Sequence, residues 1–431
     1  MKSHPGSRRQ FLKTGLGGIL AASVAPQAVA ADVLGPRPPS AKITLGCIGV
    51  GAHGFGVNLN SFLQEKEECR VVAVCDVFAS RRKKAREHVD KHYAATGCAE
   101  FADFRALLAR PDIDGVVIST PDHWHVPMAK LAIAAGKLVF CEKPTLTIAE
   151  GRELADLVAS RKAFFATGLE DRAVIYYHKL AEVVRNGGIG DLQRIKVQLP
   201  TKPVYPREEP APVPDDLNYD LWLGPAPFRP YSPKLTHAQV WRQIRDFSGG
   251  SLTDWGAHLI DTAQVANFAE ASGPVSVRGA GRVPSDSLNT VAHTYELTYT
   301  YANGVTLDVA SGGISIRLEG SAGWVGNKGF AGPLEASDMN LFRRTYDPAT
   351  NKIWPRRPRE HRDFIESVRT GRAPMYTAEA LHRLSTVLHI GAIAMELGRP
   401  LSWNPQTEDF VGDAPASALR SRASRTEWRN S

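Results

Sequence analysis

Short apolar runs alternate with helical segments through the first third of the chain. Four of these runs have the length and apolar content of buried parallel strands: residues 43–49, 70–75, 115–119 and 137–141. Helical segments separate the later runs, at residues 103–109 and 127–135. Strands that alternate with helices in this way predict a doubly wound parallel α/β sheet over residues 42–144.

The pattern changes from residue 145 onward. Helices are predicted at residues 148–160 and in a segment ending at residue 184, with a strand at residues 164–168 between them. Five later segments alternate in polarity or are rich in β-forming residues: 192–199, 276–282, 293–301, 305–311 and 314–319. They predict a second, α+β domain at residues 145–412 with a large, mostly antiparallel open sheet.

The remaining segments differ from regular strands in composition. Residues 202–233 are dense in Pro and aromatic residues, which predicts a long ordered excursion that walls a substrate cleft or makes an oligomer contact. Helices are predicted at residues 361–368 and 377–397. The tail at residues 413–431 is rich in Ala, Arg and Ser, which predicts an arm or a disordered end.

The N-terminus carries the three parts of an export signal in order. Arg8 and Arg9 lie in a basic start, and an apolar run at residues 11–25 leads to small residues that end at Ala30. The run is too short and too rich in Gly and Ala to span a bilayer. Residues 1–30 are therefore predicted to be a cleaved twin-arginine signal, followed by a linker at 31–41. This predicts a periplasmic or otherwise exported protein that uses the twin-arginine machinery, without stable membrane insertion.

Charge and cysteine content exclude several other classes. The 431-residue chain has a net charge of +7, which falls to +3 without the predicted signal and its four basic residues. This balance is too mild to predict nucleic-acid or membrane binding. The five cysteines all lie in the first third, without metal-ligand spacing. They are predicted to be small buried side chains, with no disulfide framework and no metal site.

A glycine loop directly follows the first predicted strand. Gly49 permits a tight turn, Gly51 lets the backbone approach a pyrophosphate, and Gly54 lets the next helix pack on the strand. His53 and Phe55 lie in the same loop and are predicted to contact the nucleotide. Strand, loop and helix in this register predict a Rossmann dinucleotide-binding domain.

The acid at the end of the second strand bears on the choice of cofactor. Asp76 lies where a carboxylate grips the ribose hydroxyls, and its charge repels a 2′-phosphate. NAD is therefore predicted in preference to NADP. The basic run at residues 81–84 fits a solvated helix face, but it leaves phosphate binding open.

Two later strand ends carry polar residues. Ligands of doubly wound sheets lie at the carboxyl ends of the strands, so both ends are predicted to flank the nicotinamide. The cofactor-binding residues predicted there are Thr120, Pro121, His123, His125, Glu142 and Lys143. His123 and His125 also have the spacing of a metal pair, but no further ligand cluster accompanies them, which favours hydrogen bonding in the cofactor loop.

Together, the glycine loop, residues 120–125, the Glu-Lys-Pro tripeptide at 142–144 and the motif at residues 254–258 resemble the Gfo/Idh/MocA oxidoreductase family. The resemblance covers nearly the whole predicted mature chain. It implies a Rossmann domain followed by an α/β domain, hydride transfer to or from sugars and cyclitols, and C-terminal helices that return to the first domain. It also implies a homo-oligomer, either a dimer or a tetramer.

Three residues are predicted to carry the chemistry. Oxidation of a secondary alcohol needs a base for the hydroxyl proton, and His258 is the candidate. Asp254 lies four residues earlier, so on a helix both side chains share one face. Lys143 supplies an ammonium that stabilises a developing alkoxide. The resemblance implies the same three roles.

Further residues are predicted to bind substrate. Arg172, Trp241 and Arg242 supply planar donors and an aromatic face of the kind that sugar sites use, although a structural ion pair and a core Trp explain them equally well. Asp254 and His258 belong to the same set. Asp261 is predicted to pair structurally.

The leading hypothesis is an exported NAD-dependent oxidoreductase that acts on a sugar, glycoside or cyclitol. Because no ready pool of NAD(P)H exists outside the cytoplasm, the cofactor is expected to be tightly bound and recycled. The alternative is a glycosidase that uses NAD for transient oxidation, elimination, water addition and reduction, as exported members of this superfamily do. A non-catalytic sugar-binding protein with the same fold is the third possibility.

Overall fold

The computed structural model describes residues 42–425 and residue 428. The predicted signal at residues 1–30 and the linker at 31–41 lie outside the described residues, so the export signal stays a prediction. Within the described residues, no helix is both long enough and apolar enough to cross a membrane.

The first sheet is parallel and has six strands in the order β3-β2-β1-β4-β5-β6. The strands are β1 (Ile43–Ile48), β2 (Cys69–Cys75), β3 (Ala99–Phe101), β4 (Gly115–Ile118), β5 (Leu138–Glu142) and β6 (Phe165–Gly168). The predicted Rossmann fold is confirmed. The sheet does not stop at the predicted boundary, residue 144, because β6 pairs with β5 in parallel.

Helices cover this sheet and complete the crossovers. They are α1 (Asn60–Gln64), α2 (Ala79–Tyr93), α3 (Phe104–Leu108), α4 (His125–Ala134) and α5 (Ile148–Arg161). A π-helical turn, Gly54–Leu59, joins the glycine loop to α1. The cysteines of this region are free, and four of the five are buried, as predicted.

The second sheet has nine strands in the order β13-β12-β11-β7-β10-β9-β8-β14-β15. They are β7 (Leu192–Leu199), β8 (Ser276–Arg282), β9 (Thr294–Thr300), β10 (Thr306–Ser311), β11 (Ser315–Gly320), β12 (Gly323–Lys328), β13 (Leu334–Ala336), β14 (Leu401–Asn404) and β15 (Asp409–Phe410). Its pairs are antiparallel except β7 with β10, so the predicted mostly antiparallel sheet is confirmed.

Eight helices belong to the part of the described chain that follows β6. They are α6 (Ile175–Arg185), α7 (Tyr219–Leu223), α8 (Ala238–Trp241), α9 (Gly250–Asp254), α10 (Gly256–Ala266), α11 (Glu360–Thr370), α12 (Ala378–Leu397) and α13 (Ala414–Ala418). Helices α6, α10 and α12 share one apolar core with the second sheet. Helix α11 returns to the first domain, where Phe364 packs against Phe62 and Phe140.

The Pro-rich excursion and the tail are both packed. Apolar side chains between residues 217 and 247 form a cluster of their own, in which Trp222 and Phe247 lie edge to face. In the described part of the tail, Arg420 donates to the Glu408 carbonyl oxygen and Arg425 to the Gly224 carbonyl oxygen. Of the two predicted alternatives, an arm or a disordered end, this packing favours an arm as far as residue 425.

Candidate active site

The glycine loop has a backbone that other residues cannot adopt or fit. Gly49 follows β1 with φ +83°, and a Cβ there would lie 2.7 Å from the Ser119 carbonyl group. A Cβ on Gly54 would lie 1.9 Å from the Gly49 carbonyl oxygen. Both glycines thus allow the loop to turn tightly against the end of β4, as predicted from the motif.

The loop also leaves room for a nucleotide. A Cβ on Gly51 would meet only the guanidinium of Arg81, at 3.4 Å, so the loop backbone is open on the cavity side. Asp76 lines the same cavity, and its carboxylate accepts the backbone N–H groups of Val50 at 2.9 Å and Phe78 at 3.0 Å. These residues fit a dinucleotide, with the pyrophosphate at Gly51 and the ribose at Asp76.

The basic run at residues 81–84 divides into two pairs. Lys83 and Lys84 are exposed, as the prediction of a solvated face requires. Arg81 instead lines the cavity with its guanidinium 3.8 Å from the Phe78 ring, and Arg82 donates to the Asp76 carbonyl oxygen. Burial raises the pKa of Asp76, and the charge of Arg81 opposes this effect. An acid and an arginine therefore both lie at the ribose end.

We predict that Asp76→Ala weakens NAD binding on the order of tenfold to a hundredfold, because the ribose hydroxyls lose the charged carboxylate that accepts their hydrogen bonds. NADP binding should fall much less, because the 2′-phosphate gains Arg81 and loses a repulsive charge. Calorimetric titration of both nucleotides measures the effect, with the exposed Lys83→Ala as the matched control. Equal losses for NAD and NADP would contradict this assignment.

One cavity of about 750 Å³ joins the glycine loop to the second domain. Most of the residues predicted for the site line it: Gly49, Gly51, His53, Gly54, Asp76, Thr120, Pro121, His125, Glu142, Lys143, Trp241, Arg242, Asp254 and His258. The ends of β1, β4 and β5 contribute one wall. The Pro-rich excursion contributes Lys202, Leu221 and Trp222 to the lining, whereas its predicted alternative role in an oligomer contact stays a prediction.

The structure places two predicted cofactor residues away from the cavity lining. His123 is buried with Nε2 3.0 Å from the Trp222 carbonyl oxygen, and desolvation lowers its pKa to about 4. Phe55 packs against the ring of His88 at 4.9 Å. Both side chains pack against other elements of the chain and lie outside the cavity lining. By contrast, His125 bridges two strand-end loops through the carbonyl oxygens of Thr120 and Pro144.

Arg172 is likewise a structural residue. Its guanidinium forms an ion pair with Asp261 at 2.8 Å and lies 4.3 Å from the Tyr376 ring centroid. Both side chains of the ion pair are largely buried, and Arg172 lies outside the lining of the main cavity. The prediction that Arg172 contacts substrate is not supported by this placement, whereas the structural pairing of Asp261 is as predicted.

Glu142 is held as an anion by its neighbours. It accepts from Asn58 Nδ2 at 2.8 Å and lies 3.1 Å from His53 Nε2. Burial alone would raise the pKa of Glu142, but these hydrogen bonds and the charge of Lys143 hold it at about 2. Asn58 also accepts from His361 Nε2 at 2.8 Å, which ties the network to α11. The sequence does not predict Asn58 or His361, because neither belongs to a motif.

Lys143 and Asp254 form an ion pair between the two domains. Lys143 Nζ donates to Asp254 Oδ1 at 2.9 Å and to the Asp254 carbonyl oxygen at 2.8 Å. Arg242 Nε lies 3.6 Å from the same carboxylate oxygen. Burial disfavours both charges, but the attraction between them outweighs burial. The pKa of Asp254 is therefore held well below its usual range, and the pKa of Lys143 is raised above its usual value. Both groups are therefore charged at neutral pH.

His258 has a separate carboxylate partner. Its Nδ1 lies 2.8 Å from Oδ2 of Asp171, which follows β6 and is fully buried. Hydrogen bonding of Nδ1 to the carboxylate leaves Nε2 as the nitrogen that can accept a proton. Asp254 and His258 line the same cavity, as predicted, but from the successive helices α9 and α10, with different partners.

A further acid, Glu170, lies beside the Asp171–His258 pair. One carboxylate oxygen from each of Glu170 and Asp171 and one imidazole nitrogen of His258 lie within 4.8 Å of one another. The absence of a catalytic metal stays a prediction, and an assay in EDTA after metal removal tests it, with unchanged turnover expected.

This fold and site define a two-domain NAD-binding oxidoreductase. Residues 43–169 match the family model described as "Oxidoreductase family, NAD-binding Rossmann fold". Residues 205–430 match that described as "Oxidoreductase family, C-terminal alpha/beta domain". The chain belongs to the Gfo/Idh/MocA oxidoreductase family.

Curated relatives match over part of the chain. An alpha-N-acetylgalactosaminidase from Shewanella oneidensis is 34% identical over 168 residues, which cover 35% of this chain and 36% of the relative. A glycosyl hydrolase family 109 protein from Shewanella amazonensis is 36% identical over the same shares. The chain thus spans about a third of the length of these relatives.

Solved structures match over most of the chain. An aldose-aldose oxidoreductase from Caulobacter crescentus, complexed with glycerol, has a TM-score of 0.61 at 18% identity, covering 84% of this chain and 100% of that one. The WlbA dehydrogenase from Bordetella pertussis, in complex with NADH and UDP-GlcNAcA, has a TM-score of 0.64 at 14% identity, covering 84% and 99%. At these identities the likeness shows the fold.

Proposed function

We propose that this protein transfers a hydride between a secondary alcohol of a sugar, glycoside or cyclitol and a tightly bound NAD. The observation that carries the proposal is that Lys143 and His258 line the same cavity as the glycine loop. Two groups suited to alcohol chemistry thus lie beside a dinucleotide cradle.

Lys143 and His258 have different roles, and each is oriented by its own carboxylate partner. NAD, when bound, supplies the hydride acceptor. The Lys143 ammonium stabilises negative charge on the reacting oxygen, and Asp254 fixes the ammonium in place at 2.9 Å. His258 accepts the hydroxyl proton at Nε2, while Asp171 holds the ring in that tautomer. Because Lys143 and Asp254 come from different domains, the charge pair exists only when the cleft is assembled.

The proposal includes export and retention of the cofactor. The basic start, apolar run and small residues that end at Ala30 support passage through the twin-arginine route to the periplasm. An exported enzyme has no ready pool of NAD, so a retained cofactor and a second substrate that returns the hydride fit that location. We further propose a homo-oligomer, either a dimer or a tetramer, on the family resemblance.

The first test is to purify the protein without added nucleotide and identify any co-purified cofactor by mass spectrometry after denaturation. Absorbance near 340 nm is then followed while neutral and acidic sugars, glycosides and cyclitols are added. Bound NAD that is reduced once per site supports the proposal. Protein that contains no NAD and turns over only when NAD is added would refute retention of the cofactor. It would still support the proposed hydride transfer.

The curated relatives favour a second candidate function. Since these relatives include an alpha-N-acetylgalactosaminidase, the same site is a candidate for hydrolysis through transient oxidation. The two functions differ in net redox change. Steady release of a sugar from a p-nitrophenyl α-N-acetylgalactosaminide, without net reduction at 340 nm and without an acceptor, would establish the hydrolase. An oxidoreductase stops after one turnover unless an acceptor is present.

A further inference from the structure

The cavity contains a second lysine besides Lys143. Lys202 follows β7 at the start of the Pro-rich excursion and lines the same cavity as Lys143 and His258. Among the residues that the structure describes, no carboxylate lies within ion-pair distance of its ammonium. Its Nζ lies over the Trp255 ring, 5.3 Å from the ring centroid.

Lys202 lacks an anion of its own among the described residues. Asp254 is the one described carboxylate that attracts it appreciably, and that carboxylate is already shared by Lys143 and Arg242. The same two cations repel Lys202. Burial lowers the pKa of Lys202, and the attraction of Asp254 only partly offsets this loss of hydration. Asp254 thus attracts three cations. Lys143 is also attracted by Glu142 and Arg242 by Asp122, whereas Lys202 has no second anion among the described residues, so a ligand anion beside it would be stabilised.

The backbone holds Lys202 in place. The Pro200 carbonyl oxygen accepts from Ser251 Oγ at 2.6 Å, and the Pro203 carbonyl oxygen accepts from Asn289 Nδ2 at 3.0 Å. The segment is thus fixed on both sides of Lys202 by other parts of the chain. A lysine on an anchored segment is positioned for a ligand, unlike one on a solvated loop.

Aromatic side chains complete this end of the cavity. Phe330 lies edge to face with Trp255 at 5.9 Å and with the ring of His258 at 5.1 Å. Both aromatic residues line the cavity. An aromatic face next to polar donors suits a pyranose, which presents C–H bonds on one face and hydroxyl groups at its edge.

We propose that Lys202, together with Arg242, binds an anionic group of the substrate, so that the enzyme acts on an acidic sugar. This inference rests on the proposed function and names the substrate class of the same site. The group is a carboxylate, as in a hexuronate, or a phosphate ester on the sugar. Lys202 lies at the reacting end with Asp254, whereas the glycine loop receives the cofactor phosphates at the other.

The test uses three matched sugars with the full, NAD-loaded protein: glucose, glucuronate and glucose 6-phosphate, repeated in the galacto series. For wild type we expect kcat/KM at least about tenfold higher for an acidic member than for the neutral one. Lys202→Met should remove this preference, lowering kcat/KM for the acidic sugar on the order of tenfold to a hundredfold and for the neutral sugar by less than about threefold. Lys202→Arg should retain most of it. Preference for glucuronate or for glucose 6-phosphate identifies the anion.

Controls separate the inference from the proposed function. Lys83→Met removes an exposed lysine and should change neither value. Equal use of neutral and acidic sugars by wild type would overturn the acidic-sugar inference and leave the oxidoreductase intact. A parallel loss of NAD affinity in Lys202→Met would place the lysine at the cofactor instead. If no sugar reduces NAD, calorimetric binding of the same sugars decides: binding that is acid-selective and Lys202-dependent supports the subsite, and its absence overturns it.

Discussion

Replacement of Lys143 by Met should lower kcat on the order of 10³-fold, with NAD still bound. The Lys143 ammonium is a cationic donor in the cavity, and loss of one preorganised donor to a developing oxyanion costs about 10²–10³ in rate. Methionine fills the volume of the aliphatic stem without the charge. Single-turnover reduction at 340 nm measures the loss, and the NAD content of the purified variant checks that the cradle remains.

The same substitution leaves Asp254 with a weaker partner, and this requires a control for folding. Removing one member of a buried ion pair costs roughly 3–5 kcal/mol of stability when no other partner takes its place. Here Arg242 lies 3.6 Å from the Asp254 carboxylate and compensates in part. Lys143→Arg keeps the charge pair but moves the donor, so it should fold normally and remain slow. Wild-type turnover in Lys143→Met would exclude Lys143 from the chemistry, whereas wild-type turnover in Lys143→Arg would show that any cation at residue 143 suffices.

The elements that the sequence predicts best are those fixed by local chemistry. The turn at Gly49 needs φ +83°, and the close contact at Gly54 excludes any side chain. The glycine motif therefore identifies the nucleotide-binding loop without information on long-range contacts. The strand ends also predict one wall of the cavity, because the carboxyl ends of parallel strands meet at one edge of the sheet. Lys143 and His125 lie there as predicted.

Neighbouring positions in one loop are harder to distinguish. His123 and His125 lie two residues apart, yet only His125 lines the cavity, while His123 turns into the aromatic cluster of Trp222 and Phe247. For Arg172 the sequence leaves substrate contact and a structural ion pair open, and the structure shows the ion pair, while the neighbouring Asp171 reaches His258. Which of two neighbouring side chains faces the cavity depends on the element that packs against the loop, and that element is distant in sequence.

Pairs that join distant segments leave no local signal. Asp171 and His258 are separated by 87 residues, and Lys143 and Asp254 by 111. The family resemblance supplies roles for Lys143, Asp254 and His258 but not the partner of His258. Likewise, the position of Lys202 over Trp255 follows from how the excursion packs, which its composition alone does not specify.

Replacement of Asp171 by Asn should slow the reaction on the order of 10²-fold and move the acidic limb of its pH profile to lower pH. His258 acts as a base only when neutral, so the rate rises with pH through the apparent pKa of the pair. Burial alone would lower the pKa of His258, but the Asp171 carboxylate outweighs burial and raises it. With Asn at residue 171 the burial and the nearby Lys143 charge remain, so protonation requires a lower pH. The rate falls because the amide no longer fixes the tautomer with Nε2 free.

The pH dependence distinguishes this role from a purely structural one. Glu170 and Asp261 also act on the pair, so the profile is recorded for kcat with NAD bound and compared with that of Asp215→Asn, an exposed acid in the excursion. His258→Gln should lose on the order of 10²–10⁴ in rate and the acidic limb with it. In the His258→Gln background, Asp171→Asn should then cost little more, because the carboxylate acts through the imidazole. Two results would show that Asp171 does not act by positioning His258. One is a lower kcat in Asp171→Asn with no shift in the acidic limb of the pH profile. The other is a full additional loss of kcat when Asp171→Asn is combined with His258→Gln.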